Sequence, residues 1–267
     1  MPIESHEYVI PIEPDAILWR YMNFKKFLSL LTTKSLFFCR ADKFPDPFEG
    51  TYPRKEVEYR PENYRQICNF YNIPFDLDKC NKHIDEIVDF NKRTRMATVI
   101  NSWHINTHES DNMWRLYLKT DEGVAIQTKP QRLLNSLQET QESIYPSKIR
   151  YIDYDNCIWY HETDYPIKSE NSLKPFLHKR IEFTSENEFR LFHIINDVIF
   201  YQGENYWDKE INHVGIFIKI NLEQLIEKVI LHPNINDQEH QKIESYAKDL
   251  GYYFNFQKSE LSKNPYY

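Results

Sequence analysis

The chain has 267 residues, 41% hydrophobic, 15% aromatic and 27% charged, the make-up of a globular protein able to bury a sizeable core rather than of a disordered one. A net charge of −7 argues against a generalised polyanion binder. The five glycines form neither G-x-G-x-x-G nor a Walker sequence, so a nucleotide site here would have to use side chains and strand edges. Four cysteines without a C-x-x-C, no basic-then-apolar leader and no apolar run of membrane length lead us to expect a soluble, cytoplasmic protein that makes no membrane contact.

In chain order, Ile17–Tyr21 reads as a short strand, and Asn23 can cap a helix that places Phe24, Phe27, Leu28 and Leu31 on one face. Leu36–Cys39 reads as a second strand, followed by the loop Asp42–Gly50, stiffened by Pro45 and Pro47. Residues 61–92 carry two apolar helical stripes, Tyr64/Ile67/Cys68/Tyr71 and Leu77/Cys80/Ile84/Ile87/Val88, and are expected to form a helical pair covering the sheet, an insertion at about 54–95. Met96–Trp103 reads as a strand, Asp111 as the cap of a short helix through Met113, Trp114 and Tyr117, Gly123–Ile126 as a buried strand, and Pro130–Leu137 as a helix. Lys148–Tyr154 alternates like a half-buried strand, and Lys174–Arg180 reads as a helix leading into a strand that carries Glu186-Asn187-Glu188. Val214–Ile220 and Lys228–Leu231 are strands. Glu239–Leu250 is an amphipathic helix, with Gly251 where a left-handed terminator belongs. The expected fold is α+β in a single domain over 1–267, a twisted mixed or antiparallel sheet with helices around it.

Three polar positions on strands stand out. Residues two apart on a strand share a face, so Glu186 and Glu188 would sit side by side, repel, and push one pKa up. Such a pair needs a function or nearby cations; Lys179, Arg180 and Arg190 could serve as surface partners. Arg20 lies in an apolar strand, where its planar fork suits a pyrophosphate or a carboxylate. Ser102 ends a strand beside Trp103, where a serine commonly bonds backbone. The basic runs Lys92–Arg95 and Lys174–Arg180 could meet phosphates or be solvated faces. His104 and His108 are spaced i, i+4 but lack the glutamate of H-E-x-x-H, and His178 reads as a surface helix residue that could act as a base. Trp19, Tyr21, Trp103, Trp114 and Tyr117 cluster around these positions and could form an aromatic wall for a planar ring.

Taken in order, Leu18-Trp19-Arg20-Tyr21, Phe44-Pro45-Asp46-Pro47-Phe48-Glu49-Gly50, Ser102-Trp103, Met113-Trp114-Arg115-Leu116-Tyr117, Gly123-Val124-Ala125-Ile126 and Glu186-Asn187-Glu188-Phe189-Arg190 resemble the bacterial domain-of-unknown-function family numbered twenty-nine seventy-one. Pro45 stands where that family usually has Asn, and Trp19 where it usually has Tyr. The order strand Arg, strand Ser, strand E-x-E is also similar to the arginine-serine-glutamate order of ADP-ribosyltransferases, although Ser102 is not followed by the Thr-Ser usual there.

That second resemblance implies an ADP-ribosyltransferase-like fold and NAD as substrate. Glu188 would stabilise the oxocarbenium-like state, Glu186 would position or deprotonate the acceptor, and Ser102 would orient the ribose or the catalytic glutamate. Arg20 would grip the pyrophosphate, with Tyr21, Trp103 or Tyr117 stacking on nicotinamide and no metal involved. The acceptor it implies is a single-stranded nucleic acid or a protein, and the setting a toxin in phage defence with a neutralising antitoxin. Two other readings stay open. One is a non-enzymatic binding or scaffold module held by a buried network of Arg20, Asp46, Glu49 and Glu188. The other is a magnesium-dependent nuclease using Asp46, Glu186 and Glu188.

Overall fold

The computed structural model describes residues 2–159, 169–195 and 213–267. In it the apolar stretch around Trp19 forms a strand deep in a mixed sheet. β1 (Leu18–Asn23) passes straight into α1 (Phe24–Thr33) because Asn23 caps the helix, its Oδ1 accepting the Lys26 amide at 2.9 Å. The 3.6-residue period then buries Phe27, Leu30 and Leu31 against the sheet. α1 stops at Lys34, which adopts the left-handed conformation (φ 50°) and donates its amide to the Leu30 carbonyl. β2 (Ser35–Arg40) follows, then a 3₁₀ turn at Ala41–Lys43 and the loop running to Gly50.

Register shows how the sheet is built. β8 (Glu188–Ile194) pairs antiparallel with β3 (Thr98–Ile105) from Thr98↔Ile194 to His104↔Glu188, filling one whole edge of β3. β1 and β2 must therefore share the opposite edge. β2 takes one end (Cys39↔Ile100, Arg40↔Val99) and β1 the other (Leu18↔Ile105, Trp19↔His104). Between these contacts β1 and β2 diverge, with α1 bridging them, and the sheet forks. One branch continues from β1 through β4 (Gly123–Thr128) and β10 (Lys228–Leu231) to β11 (Phe256–Lys258). The other ends in β9 (Gly215–Lys219), paired with β2. On the far side of β8 lies β5 (Tyr145–Lys148). All these pairs are antiparallel except β10–β11, so the α+β class and the mixed sheet hold.

Alternation along β1 divides the core. Leu18 and Met22 join α1, α6 (Pro130–Asn135), α7 (Leu222–Leu225) and α8 (Asp237–Asp249) in the largest apolar cluster. Trp19 and Tyr21 face the other way, onto Met113 and Trp114. Those two belong to α5 (Asp111–Tyr117), capped by the Ser110 hydroxyl rather than by Asp111. α8 ends as its sequence suggests, with Gly251 at φ 86° donating to the Lys248 carbonyl.

Elsewhere the expectations need correcting. The 61–92 stretch does form a helical pair, α3 (Arg60–Phe70) and α4 (Leu77–Ala97), preceded by the short α2 (Arg54–Glu58), but it covers little of the sheet. α3 packs on α4, and α4 reaches the sheet only near its C-terminal end, where Thr94 and Ala97 are buried. Leu77 is exposed. Lys148–Tyr154 is not one strand. Ile149 donates its amide to the Glu188 carbonyl, and the chain then leaves the main sheet to form β6 (Arg150–Ile152), which pairs parallel with β7 (His178–Arg180). Lys174–Arg180 is accordingly no helix: a 3₁₀ segment (Ser169–Phe176) containing Pro175 ends there and β7 begins.

The left-handed Lys34 gives a direct test. Lys34→Gly removes the steric cost of that conformation and should raise the unfolding free energy by up to about 1 kcal/mol, read by urea titration. Destabilisation by a similar amount would contradict the helix terminus described here.

Candidate functional site

Where β1 and β2 part, a cleft of about 760 Å³ opens. Its wall residues come from both strands, from α1, β3 and α5, from the 44–49 loop and from the turn before β8. That volume lies within the range of about 300–1,000 Å³ usual for small-molecule sites. Arg20 and Glu188, separated in sequence by most of the chain, both line it, as do Ser102, Glu186, Tyr21, Trp103 and Tyr117. Arg20, Tyr21, Ser102, Trp103, Tyr117, Glu186 and Glu188 thus come to one place.

Arg20 sits just past the point where β1 leaves β3. Its Nη1 donates to the Ser102 carbonyl at 2.6 Å, satisfying an oxygen on the β3 edge that faces the fork, and its guanidinium stands 5.8 Å from the Trp103 ring centre. Burial pulls its pKa down to about 10, opposed by Tyr117 and Cys39. It remains a cation at neutral pH, and among the described residues no carboxylate pairs with it. The network once conceivable around Arg20, Asp46, Glu49 and Glu188 is therefore built differently. Its cation is Arg190, and Arg20 stands outside it.

Arg190 and Glu49 are fully enclosed, each with 0% of its side chain exposed. The guanidinium forks onto Glu49 (2.6 and 2.8 Å) and through Nε onto Glu188 (2.6 Å), with a further bond to the Phe176 carbonyl. The second Glu188 oxygen accepts from Lys179 Nζ at 2.6 Å, and the same ammonium reaches Glu186 at 2.7 Å. Lys179 and Arg190 are partners of the E-x-E pair, as their proximity in sequence suggests, but the solvated edge expected for them is absent: both are buried. The neighbouring Arg180 pairs with Asp46 at 2.8 Å and stacks on Phe48 and Phe183.

The E-x-E geometry also differs from a strand pair. Glu186 ends a 3₁₀ turn (Ile181–Glu186), Asn187 is left-handed (φ 36°), and only Glu188 lies on β8. Asparagine tolerates this conformation better than most residues, and here its side chain is fixed by donating to the Ile105 carbonyl of β3 at 2.7 Å. The turn, not strand alternation, aims both carboxylates at Lys179.

Two cations face three carboxylates (Lys179 and Arg190; Glu49, Glu186 and Glu188) in a buried network, so one carboxyl is left to hold a proton. That group is Glu186, raised to about 7 by burial, by its hydrogen bond with Glu188 and by the Glu188 charge, against the pull of Lys179. At Glu188 burial works against ionisation, but Arg190 and Lys179 overcome it and hold the group well below the usual carboxylate range. The site thus offers a fixed anion beside a carboxyl that exchanges its proton near neutrality.

The aromatic candidates divide. Tyr21 is buried, its hydroxyl accepting the Ser110 amide. Trp103 is sealed, its indole donating to Asn101 at 2.8 Å. Tyr117, 45% exposed at the rim, is the one with a ring face open to a ligand, and its hydroxyl pKa is raised by burial and then by Glu188 and Glu186. Trp19 and Trp114 are buried on the α5 side.

The remaining candidates are placed as follows. His178 is no surface helix residue: it lies buried on β7 against Trp159, its pKa lowered to about 4 by burial. In the 92–95 basic run, Arg95 donates to the Pro47 and Glu49 carbonyls and so fastens the 44–50 loop. His104 is buried and His108 exposed, and among the described residues no three His, Cys, Asp or Glu side chains gather as a metal site. Likewise no described helix is long and apolar enough to cross a membrane.

Residues 113–191 match the model of a family described as a protein of unknown function (DUF2971). The matched span runs from α5 into β8 and takes in Tyr117, Lys179, Glu186, Glu188 and Arg190; Arg20, Glu49 and Ser102 precede it. No curated protein matches the chain.

Arg190→Met should cost about 3–5 kcal/mol in chemical denaturation, because it leaves Glu49 charged and unpaired in the interior. A loss below about 1 kcal/mol would contradict the network. A second outcome follows from Glu186. Its folded pKa lies above the value of about 4.3 usual for an unfolded glutamate, so the folded state holds the extra proton. The resulting stabilisation is complete below the unfolded pKa and is lost as pH rises through about 7. Urea titrations at about pH 5 and about pH 8 should show wild type losing more stability between them than Glu186→Gln. Equal losses would place the titrating proton elsewhere.

Proposed function

We propose that this chain is an NAD-consuming ADP-ribosyltransferase, its sheet forked in the manner of an ADP-ribosyltransferase-like fold. The observation that carries this reading is that a half-buried guanidinium, with no acidic partner among the described residues, shares one open cleft with an ionised and a proton-exchanging carboxyl. A desolvated cation lacking a counter-ion is costly and suits an anionic ligand. Arg20 takes the pyrophosphate, and Tyr117 offers its ring to nicotinamide.

The bond from the ribose anomeric carbon to the nicotinamide nitrogen breaks, and its electron pair leaves with nicotinamide. Positive charge then develops on the ribose, as in glycoside hydrolysis, and Glu188 is the fixed negative charge that stabilises it. The acceptor nucleophile forms the new bond to that carbon and gives its proton to Glu186, whose pKa near 7 suits a general base. The acceptor is a nucleic-acid base or a protein side chain.

The scaffold reading draws on the Arg190–Glu49–Glu188 pairs, which hold the fold together, but it leaves Arg20 without a role. The nuclease reading is disfavoured by Asp46, whose carboxylate is engaged by Arg180 at the loop instead of joining Glu186 and Glu188.

Glu188→Gln, shown by circular dichroism to be folded, should lower nicotinamide release from NAD by on the order of a hundredfold or more. Arg20→Gln should raise the KM for NAD. Full turnover in folded Glu188→Gln would overturn the assignment.

A further inference from the structure

His104 carries a constraint that the proposed reaction has not yet used. It lies on β3 between Ser102 and the turn holding the carboxylates, and 7% of it is exposed. Its Nδ1 is 2.7 Å from the Glu186 carbonyl oxygen. A carbonyl can only accept, so Nδ1 bears the hydrogen and the neutral ring presents Nε2 as a bare lone pair. That nitrogen is buried and has no hydrogen-bond partner, although His104 lines the cleft. Two residues earlier on the same face, the Ser102 hydroxyl is also buried and unpartnered. A buried polar atom of this kind is satisfied in nearly all proteins, and what satisfies it here must enter the cleft.

A fixed acceptor demands a donor. Arg20 holds the Ser102 carbonyl at one end of this strand segment, and the carboxylates occupy the other. A ligand reaching from the guanidinium to Glu188 therefore crosses His104 with the part that links its anionic group to its reacting centre. We propose that His104 Nε2 accepts a hydrogen bond from a hydroxyl of the nicotinamide ribose, which makes His104 a substrate-binding residue of this cleft. This rests on the NAD reading of the site.

The test is calorimetric titration of wild type, His104→Gln and His104→Phe with NAD, joined to nitrogen NMR of ¹⁵N-histidine-labelled wild-type protein. His104→Phe should bind NAD on the order of tenfold or more weakly, since the hydroxyl loses its acceptor. His104→Gln, whose amide oxygen can reach the same place, should recover most of that loss. Without ligand, Nε2 should resonate as an unprotonated nitrogen and shift when NAD saturates the protein. Wild-type affinity in His104→Phe, or a proton on Nε2, overturns the inference and leaves NAD as substrate untouched. Should His104→Phe fail to fold, His104→Gln and the NMR measurement decide alone. Wild type that binds no NAD and releases no nicotinamide overturns the NAD reading itself, and the ribose assignment with it.

Discussion

The structure depends on one guanidinium. Arg190 is enclosed on β8 and grips Glu49 with one edge and Glu188 with its Nε, tying the 44–50 loop to a strand more than a hundred residues away. A buried ion pair is seldom a net source of stability, because removing both charges from water costs about what their attraction returns. Its consequence is positional. Once Arg190 is desolvated, both acids must be present, and each has one place to be. Arg95 reinforces the arrangement by holding the Pro47 and Glu49 carbonyls of the same loop.

The proton inventory of the site follows from this. Arg190 is shared between Glu49 and Glu188, so Lys179 is the remaining cation for Glu188 and Glu186 together. Glu188 contacts both cations and stays ionised, while Glu186 contacts one and has the larger exposure of the pair. The carboxyl that titrates near 7 is thus the one nearer the cleft opening, where a proton can be exchanged. Asn187 makes the division possible, since its left-handed turn lets two neighbouring acids approach one ammonium from different directions.

Much of the fold is legible in the sequence where the cause is local. Asn23 before an amphipathic run, Gly251 after one, and the apolar runs at 123–126, 214–220 and 228–231 each declare their element because capping, left-handed backbone and burial act within a few residues. The candidate residues Arg20, Ser102, Glu186 and Glu188 also emerge from sequence, since charged or polar groups in apolar strands need a reason. What sequence conceals is pairing over distance. That β1 and β2 share one edge of β3 follows from register, which no local pattern encodes, and the cleft exists only because of it. Lys174–Arg180 has a helical look, yet it contributes a strand because β6 supplies a partner after leaving the main sheet. Lys179 and Arg190 sit beside the acids in sequence as surface cations would, and only the folded chain encloses them, the Phe183 ring lying on Lys179 and the Phe176 carbonyl on Arg190.

Arg20 separates structural from functional accounts of the polar groups. Every member of the Arg190 network has its charge answered within the protein, apart from the single proton on Glu186. Arg20 differs: its guanidinium is desolvated far enough to lower its pKa, yet among the described residues it bonds a carbonyl and faces an aromatic ring without pairing with a carboxylate. A structural role for a cation in that setting would be better served by a nearby acid, and Glu188 shares the cleft but is already saturated by Lys179 and Arg190. The two ends of the cleft therefore cannot neutralise one another. They are held apart by β3, with the cation on the branch along one of its edges and the acids at the start of β8, and in the turn before it, along the other. An arrangement that keeps opposite charges separated across an open space is completed by a molecule with an anionic group at one end and a centre that becomes positive at the other.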